Sequence, residues 1–202
     1  GDLMKHYPKP EIGAVGYTFA ESEVRHQDAY AHLLEVLGLN SEFARLDEFP
    51  ALNARVRVLE QHIRRRPAGD AQADGRQHAL TLLLFSACVE HASLFAQFLI
   101  MKSFDRHRNR FKGVANIVEA TSKEEQIHAM FGYRLVQVLR EENPDWFDQE
   151  FEARVLEACR AARAAEADIL DWIFEAGELE FLPRSHVDAF VDDRFNGALQ
   201  QA

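Results

Sequence analysis

The run from Leu80 to Met101, LTLLLFSACVEHASLFAQFLIM, decides the fold. By length alone it could cross a bilayer, but Glu90, His91 and Gln97 interrupt its middle. A carboxylate at the bilayer centre costs roughly 2.5 to 3.5 kcal/mol on insertion scales, and no other stretch of the chain resembles a span. The run therefore reads as the buried central helix of a soluble bundle, with no membrane partner. Glu90 then needs a reason to sit among apolar neighbours.

Outward from this run, the punctuation marks out helices only, with no strand-like alternation. Pro8 and Pro10 bracket a turn, after which Val15, Phe19, Val24, Leu33, Leu34 and Leu37 keep a helical spacing until Gly38. Ser41 reads as the N-cap of a short helix ending near Pro50, followed by another from about Ala51 to Arg65. PAGDAQADG, Pro67 to Gly75, reads as a loop. A long helix from about Gln77 to Phe104 then turns at the polar DRHRN, and a second runs from about Phe111 to Glu141. Pro144 stops that one, and a further helix spans about Gln149 to Ala176 before Gly177. Pro183 and Ser185 open the last, with Asp188 in a capping-box-like position. The class expected is all-α, a bundle of long helices forming one domain over residues 1–202.

Bulk properties narrow the function. With 202 residues and 47% apolar content, the chain can bury one sizeable core. Its net charge of -10 argues against a nucleic-acid partner, which needs a basic face to displace counterions. The short basic runs Arg64 to Arg66 and Arg106 to Lys112 read as solvated helix ends. Cys88 and Cys159 are the only cysteines, each inside an apolar helical pattern, so they read as buried thiols rather than a disulfide framework or zinc site. GDLMKHYPKPEIG has no apolar signal-peptide core, and a cytoplasmic location is the expectation.

Two E-x-x-H sequences occur, Glu23-Val24-Arg25-His26 and Glu125-Gln126-Ile127-His128. The spacing i, i+3 puts both side chains of each pair on one helix face, where they can grip one metal ion. An isolated pair is a weak motif. Position adds weight: the midpoint between Glu90 and Glu125 falls between His107 and Arg108, so an antiparallel hairpin folded there sets the two carboxylates at equal height. His91 lies about 100° around the helix from Glu90 and reads as a hydrogen-bonding residue rather than a ligand. The same mirror argument about Pro8 to Pro10 puts a partner for Glu23 upstream of Gly1. One Glu from each of two helices and an E-x-x-H from each of two others make the ferritin-like di-metal site. Oxygen and imidazole donors suit Fe or Mn, in either pairing.

At these residues the chain resembles a known family. PKPEIGAVGYTFAESEVRHQDAYAHLLEVLGL, VEHASLFAQFLI, NIVEATSKEEQIHAMFG and DWIFEAGELEFLPRSHVDAFVDDRFNGAL look like the small, radical-generating subunit of class I ribonucleotide reductase, from Pro8 to Leu199. The resemblance implies that Glu23, His26, Glu90, Glu125 and His128 ligate a di-metal centre of Fe and/or Mn. It gives Tyr30, four residues after His26, the place of the radical tyrosine. From the residues alone, Tyr30 beside Leu33 and Leu34 reads as a packing residue with a bonded hydroxyl. Leu94, Phe95 and Phe98 are candidates for the apolar wall of the site. The resemblance further implies a homodimer and a large catalytic subunit as partner, to which the oxidising equivalent passes for reduction of ribonucleotides to deoxyribonucleotides.

The chain departs from the family pattern in four places. The carboxylate on the helix preceding that of Glu23 is absent. Glu124 stands where the family often has an Asp hydrogen-bonded to the opposite His, here His26. The N-terminal Trp of the radical route and the C-terminal Tyr-bearing tail are also absent, so the chain reads as shortened at both ends. Two other readings stand beside this one. The first is another ferritin-like di-metal oxidase or iron-storage bundle; the second is a metal-free helical interaction protein, in which Glu90 would pair with an Arg or a backbone group.

Overall fold

The computed structural model describes residues 7–63 and 69–201, and these are helical with short connections. The chain divides into two compact units, Gly1–Leu46 and Asp47–Ala202. The first unit contains α1, Pro10–Val36, with a proline in its opening turn where the missing N–H costs nothing. It ends as the sequence indicates, with Gly38 at φ +70. A 3₁₀ stretch, Asn40–Glu48, stands where the short helix is expected.

The second unit holds α2 (Pro50–Ile63), α3 (Ala71–Leu84), a π-helical segment (Phe85–Ser93), α4 (Phe95–Arg108), α5 (Lys112–Glu142), α6 (Gln149–Ile173) and α7 (Arg184–Gln201). The expected loop at Pro67 to Gly75 is shorter than its composition indicates. Asp70 accepts a hydrogen bond from the Gln72 amide at 3.0 Å, and helix starts at Ala71. Gly75 lies inside α3, where a Cβ would stand 2.5 Å from the Trp146 ring. The Arg64 to Arg66 run lies outside the described residues. Ser185 does not cap α7 but lies within its first turn, while Asp188 accepts from Arg184 at 3.0 Å.

The apolar run Leu80 to Met101 lies within one continuous helical rod, Gln72–Arg108, and 67% of the rod's most apolar stretch is buried. Leu80, Leu83, Leu84, Ala87, Phe95 and Phe98 are all in the core. The rod differs from the expected plain α-helix in its middle, where Phe85–Ser93 widens to π geometry around Glu90. Asn109 and Phe111 both take left-handed φ, 51° and 58°, and reverse the chain between α4 and α5. Asn tolerates that conformation; Phe111 is held in it by edge-on packing on Phe104, centroids 5.8 Å apart. The hairpin therefore turns at Asn109 to Phe111, two to three residues beyond the His107–Arg108 midpoint of the mirror argument, and the expected turn residues Asp105 to Arg108 are still helical.

The second unit also contains a buried ion pair that the sequence reading does not anticipate. Glu166 on α6 is fully buried and lies 2.8 Å from the Arg55 guanidinium, and it accepts a hydrogen bond from Gln97 at 3.2 Å. Burial raises its carboxyl above the ordinary range against the opposing pull of Arg55.

Candidate metal centre

Glu90 enters the site from the π segment, whose residues Ser86, Ala87, Cys88, Ala92 and Ser93 are small and buried. Small side chains let a widened turn pack closely against its neighbours, and such single-turn insertions are frequent at functional sites. Across the hairpin, Glu125 and His128 stand one helical turn apart on the buried face of α5. All three residues are less than 7% exposed. The His128 Nδ1 lies 3.4 Å from Glu125 Oε2 and 3.7 Å from Glu90 Oε2. A ligand atom from each of Glu90, Glu125 and His128 falls within 4.8 Å of the others, a spacing that one or two cations can bridge.

The charge balance here is unlike that at Glu166. Among the described residues, no Lys or Arg pairs with Glu90. Burial, the largest cause, together with the Glu125 carboxylate pushes its carboxyl up to about 8, against a hydrogen bond with His128 that lowers it. Two carboxylates and an imidazole held together in an apolar setting favour a divalent cation, which would relieve the like-charge crowding at Glu90. The donors are oxygen and nitrogen, since the Cys88 thiol is engaged with Cys159. Such a set fits Fe or Mn. The metal-free reading requires an Arg or backbone partner for Glu90. Glu166 with Arg55 is what such a structural acid looks like in this chain.

Within the first unit, Glu23 and His26 also form a pair, with Oε2 to Nδ1 at 3.6 Å. His26 is buried and Glu23 is exposed. Tyr30 follows one turn later, half-buried, with its hydroxyl oxygen out of contact with solvent. Glu124 is half-buried on α5 beside Glu125. His91 packs edge-on against Tyr133, ring centroids 6.0 Å apart, and is not one of the clustered ligands. Its ring is held neutral, with its pKa lowered to about 4 by burial and by Arg194. Phe95 and Phe98 pack together at 5.4 Å and are buried, with the Arg194 guanidinium 3.8 Å over the Phe95 ring, while Leu94 is half-buried.

An all-α bundle that joins a lone Glu from one helix with an E-x-x-H from the next at one buried point belongs to the ferritin-like carboxylate class. Comparison with known proteins narrows this. The chain belongs to the ribonucleotide reductase, small chain family, whose pattern it matches over residues 1–202. It is 24% identical over 210 residues to a protein of Invertebrate iridescent virus 3 named "Probable ribonucleoside-diphosphate reductase small subunit 048L". The alignment takes in 98% of this chain and 55% of that protein, so the chain spans about half the length of the curated relative it matches.

Proposed function

We propose that this chain acts as the metal-holding, radical-generating part of a class I ribonucleotide reductase small subunit. Glu90, Glu125 and His128, with Glu23 and His26, are the proposed ligands, and the cation is Fe, Mn or one of each. The observation that carries the reading is Glu90, buried against Glu125 and His128 with no Lys or Arg opposite it among the described residues. When bound, the metal pair would supply the oxidising power for a one-electron step.

The chain's own residues have three tasks. The carboxylates neutralise the cations, and the imidazoles bind through nitrogens oriented by the i, i+3 spacing. Phe95 and Phe98 keep water from the site, which protects an oxidised side chain from quenching. Tyr30 gives up an electron and its phenolic proton and stores the oxidising equivalent. That equivalent passes to a large catalytic subunit, where ribonucleotides are reduced to deoxyribonucleotides. A homodimer, a cytoplasmic location and a supporting role for Glu124 toward His26 belong to the same proposal.

The test combines metal analysis with electron paramagnetic resonance. After anaerobic loading with Fe(II) or Mn(II), elemental analysis should find about two metals per chain, as a di-metal carboxylate site requires. Exposure to dioxygen should then give a tyrosyl signal that Tyr30→Phe abolishes. Metal without a Tyr30 signal would keep the centre and move the stored equivalent elsewhere. Absence of stoichiometric metal would sink the reading.

A further inference from the structure

Cys88 and Cys159 are separated by 70 intervening residues, yet their sulfurs lie 3.6 Å apart in the core of the second unit. Cys88 stands on the π segment and Cys159 on α6; each is 3% exposed. Chance burial of two thiols explains neither their contact nor its setting. The residues beside them on both elements are small, Ala87 and Ala92 on one and Ala158 and Ala162 on the other, and all are buried. Small neighbours leave the two backbones free to approach. A disulfide needs the sulfurs at about 2.05 Å. The gap closes by roughly 1.5 Å, a movement on the scale of the side-chain torsions of the two cysteines.

We propose that Cys88 and Cys159 are a dithiol site that closes to an intramolecular disulfide under two-electron oxidation by a small peroxide. In this step Cys159, on α6, is the attacking thiol and Cys88, on the π segment, the resolving one. The Cys159 thiolate attacks one peroxide oxygen; the O–O bond breaks, the other oxygen leaves as water after taking up a proton, and a sulfenic acid remains. The Cys88 sulfur then attacks the Cys159 sulfur, the S–O bond breaks, and the hydroxide leaves as water with the Cys88 proton. In sum, two thiols and one hydrogen peroxide give one disulfide and two waters.

The disulfide ties the segment carrying Glu90 to α6, so oxidation fixes the π segment in place. The pairing stands whether or not the neighbouring carboxylates hold metal.

The experiment exposes the full chain, as purified, to hydrogen peroxide, removes the oxidant, and counts thiols under denaturing conditions. Two free thiols should become none, with a mass loss of about 2 Da for the two hydrogens removed. Proteolysis should yield a peptide linking Cys88 to Cys159 that dithiothreitol separates. The oxidised chain should melt higher by about 5 °C or more, because a loop of this length constrains the unfolded state strongly. Cys88→Ser and Cys159→Ser should each lose both the linked peptide and the rise in melting temperature. Two thiols persisting under conditions that oxidise free cysteine would overturn the proposal. So would sulfinic or sulfonic products, or disulfides between chains, in place of the internal link.

Discussion

Two buried glutamates in this chain solve the same problem differently, and substitution should separate them. Glu90 has a second carboxylate and an imidazole for company, so Glu90→Gln removes a proposed ligand and also relieves like-charge crowding. Titration calorimetry should show Mn(II) affinity falling by at least about tenfold, as losing one carboxylate of a small ligand set implies. The metal-free variant should be as stable as the parent or slightly more so. Glu166 instead depends on Arg55. Arg55→Met strands a fully buried carboxylate and should cost about 3 kcal/mol in urea unfolding near neutral pH. The pH dependence has a definite sign. Glu166 has a folded-state pKa raised above its unfolded value, so stability is greatest where both states are protonated and declines as pH rises through the unfolded value toward the folded one. Removing Arg55 raises the folded pKa further. The stability gap between variant and parent should therefore narrow as pH falls from 7.5 to 5, and a gap independent of pH would show that Glu166 is not the group left stranded. Hairpin height against Glu125 singled out Glu90 in the sequence, whereas no pattern there bears on Glu166. AARAAEADIL, Ala161 to Leu170, sets a carboxylate among apolar residues much as VEHAS does, and only the tertiary placement of Arg55, 111 positions upstream, shows that one is an ion pair.

At the scale of elements, the contact between the π segment and α5 is where the site's geometry is most exposed to change. Gly132 lies one turn beyond His128, and a Cβ there would stand 1.8 Å from Ser86 Oγ and 2.8 Å from its Cβ. Gly132→Ala should push α5 off the π segment and cost about 1 to 3 kcal/mol, the usual range for overpacking a dense core. Ser86→Gly removes both obstructing atoms and leaves the Ser86 Cα at 4.0 Å, an ordinary contact. The double variant should recover most of the loss beyond the roughly 1 kcal/mol that a helical glycine itself costs. Additive losses would mean that the close approach at Gly132 is not what the substitution disturbs. Helix identity and the hairpin turn were legible because periodicity, proline and glycine report them directly. The π segment was not, since FSACVEHAS is a run of small and apolar residues whose spacing suits either pitch. The start of α3 was hidden for a different reason: Asp70 both resembles a loop residue and caps the helix that follows it.

Of the residues proposed as ligands, Glu23 and His26 belong to the first compact unit and Glu90, Glu125 and His128 to the second. The sequence could rank these residues by spacing and by likeness to a family, because E-x-x-H is a local pattern and hairpin height can be counted. Burial and countercharge lie beyond that count, and they add a physical ground to Glu90 as a candidate ligand. Their thermodynamic consequence is a linkage between metal and folding. A cation that binds the folded chain and not the unfolded one adds about 2.7 kcal/mol at a concentration one hundred times its dissociation constant. In a chain of this size, that corresponds to a rise in melting temperature of roughly 5 to 11 °C. Scanning calorimetry with Mn(II) should show this rise, excess chelator should reverse it, and Glu90→Gln should lack most of it. If Glu90→Gln shifted as far as the parent, the cation would be binding elsewhere, at surface carboxylates of a chain carrying a net charge of -10. The Arg55→Met variant supplies the control. It starts from a lower melting temperature but keeps the clustered ligands, so the same concentration of Mn(II) should raise it by a similar amount.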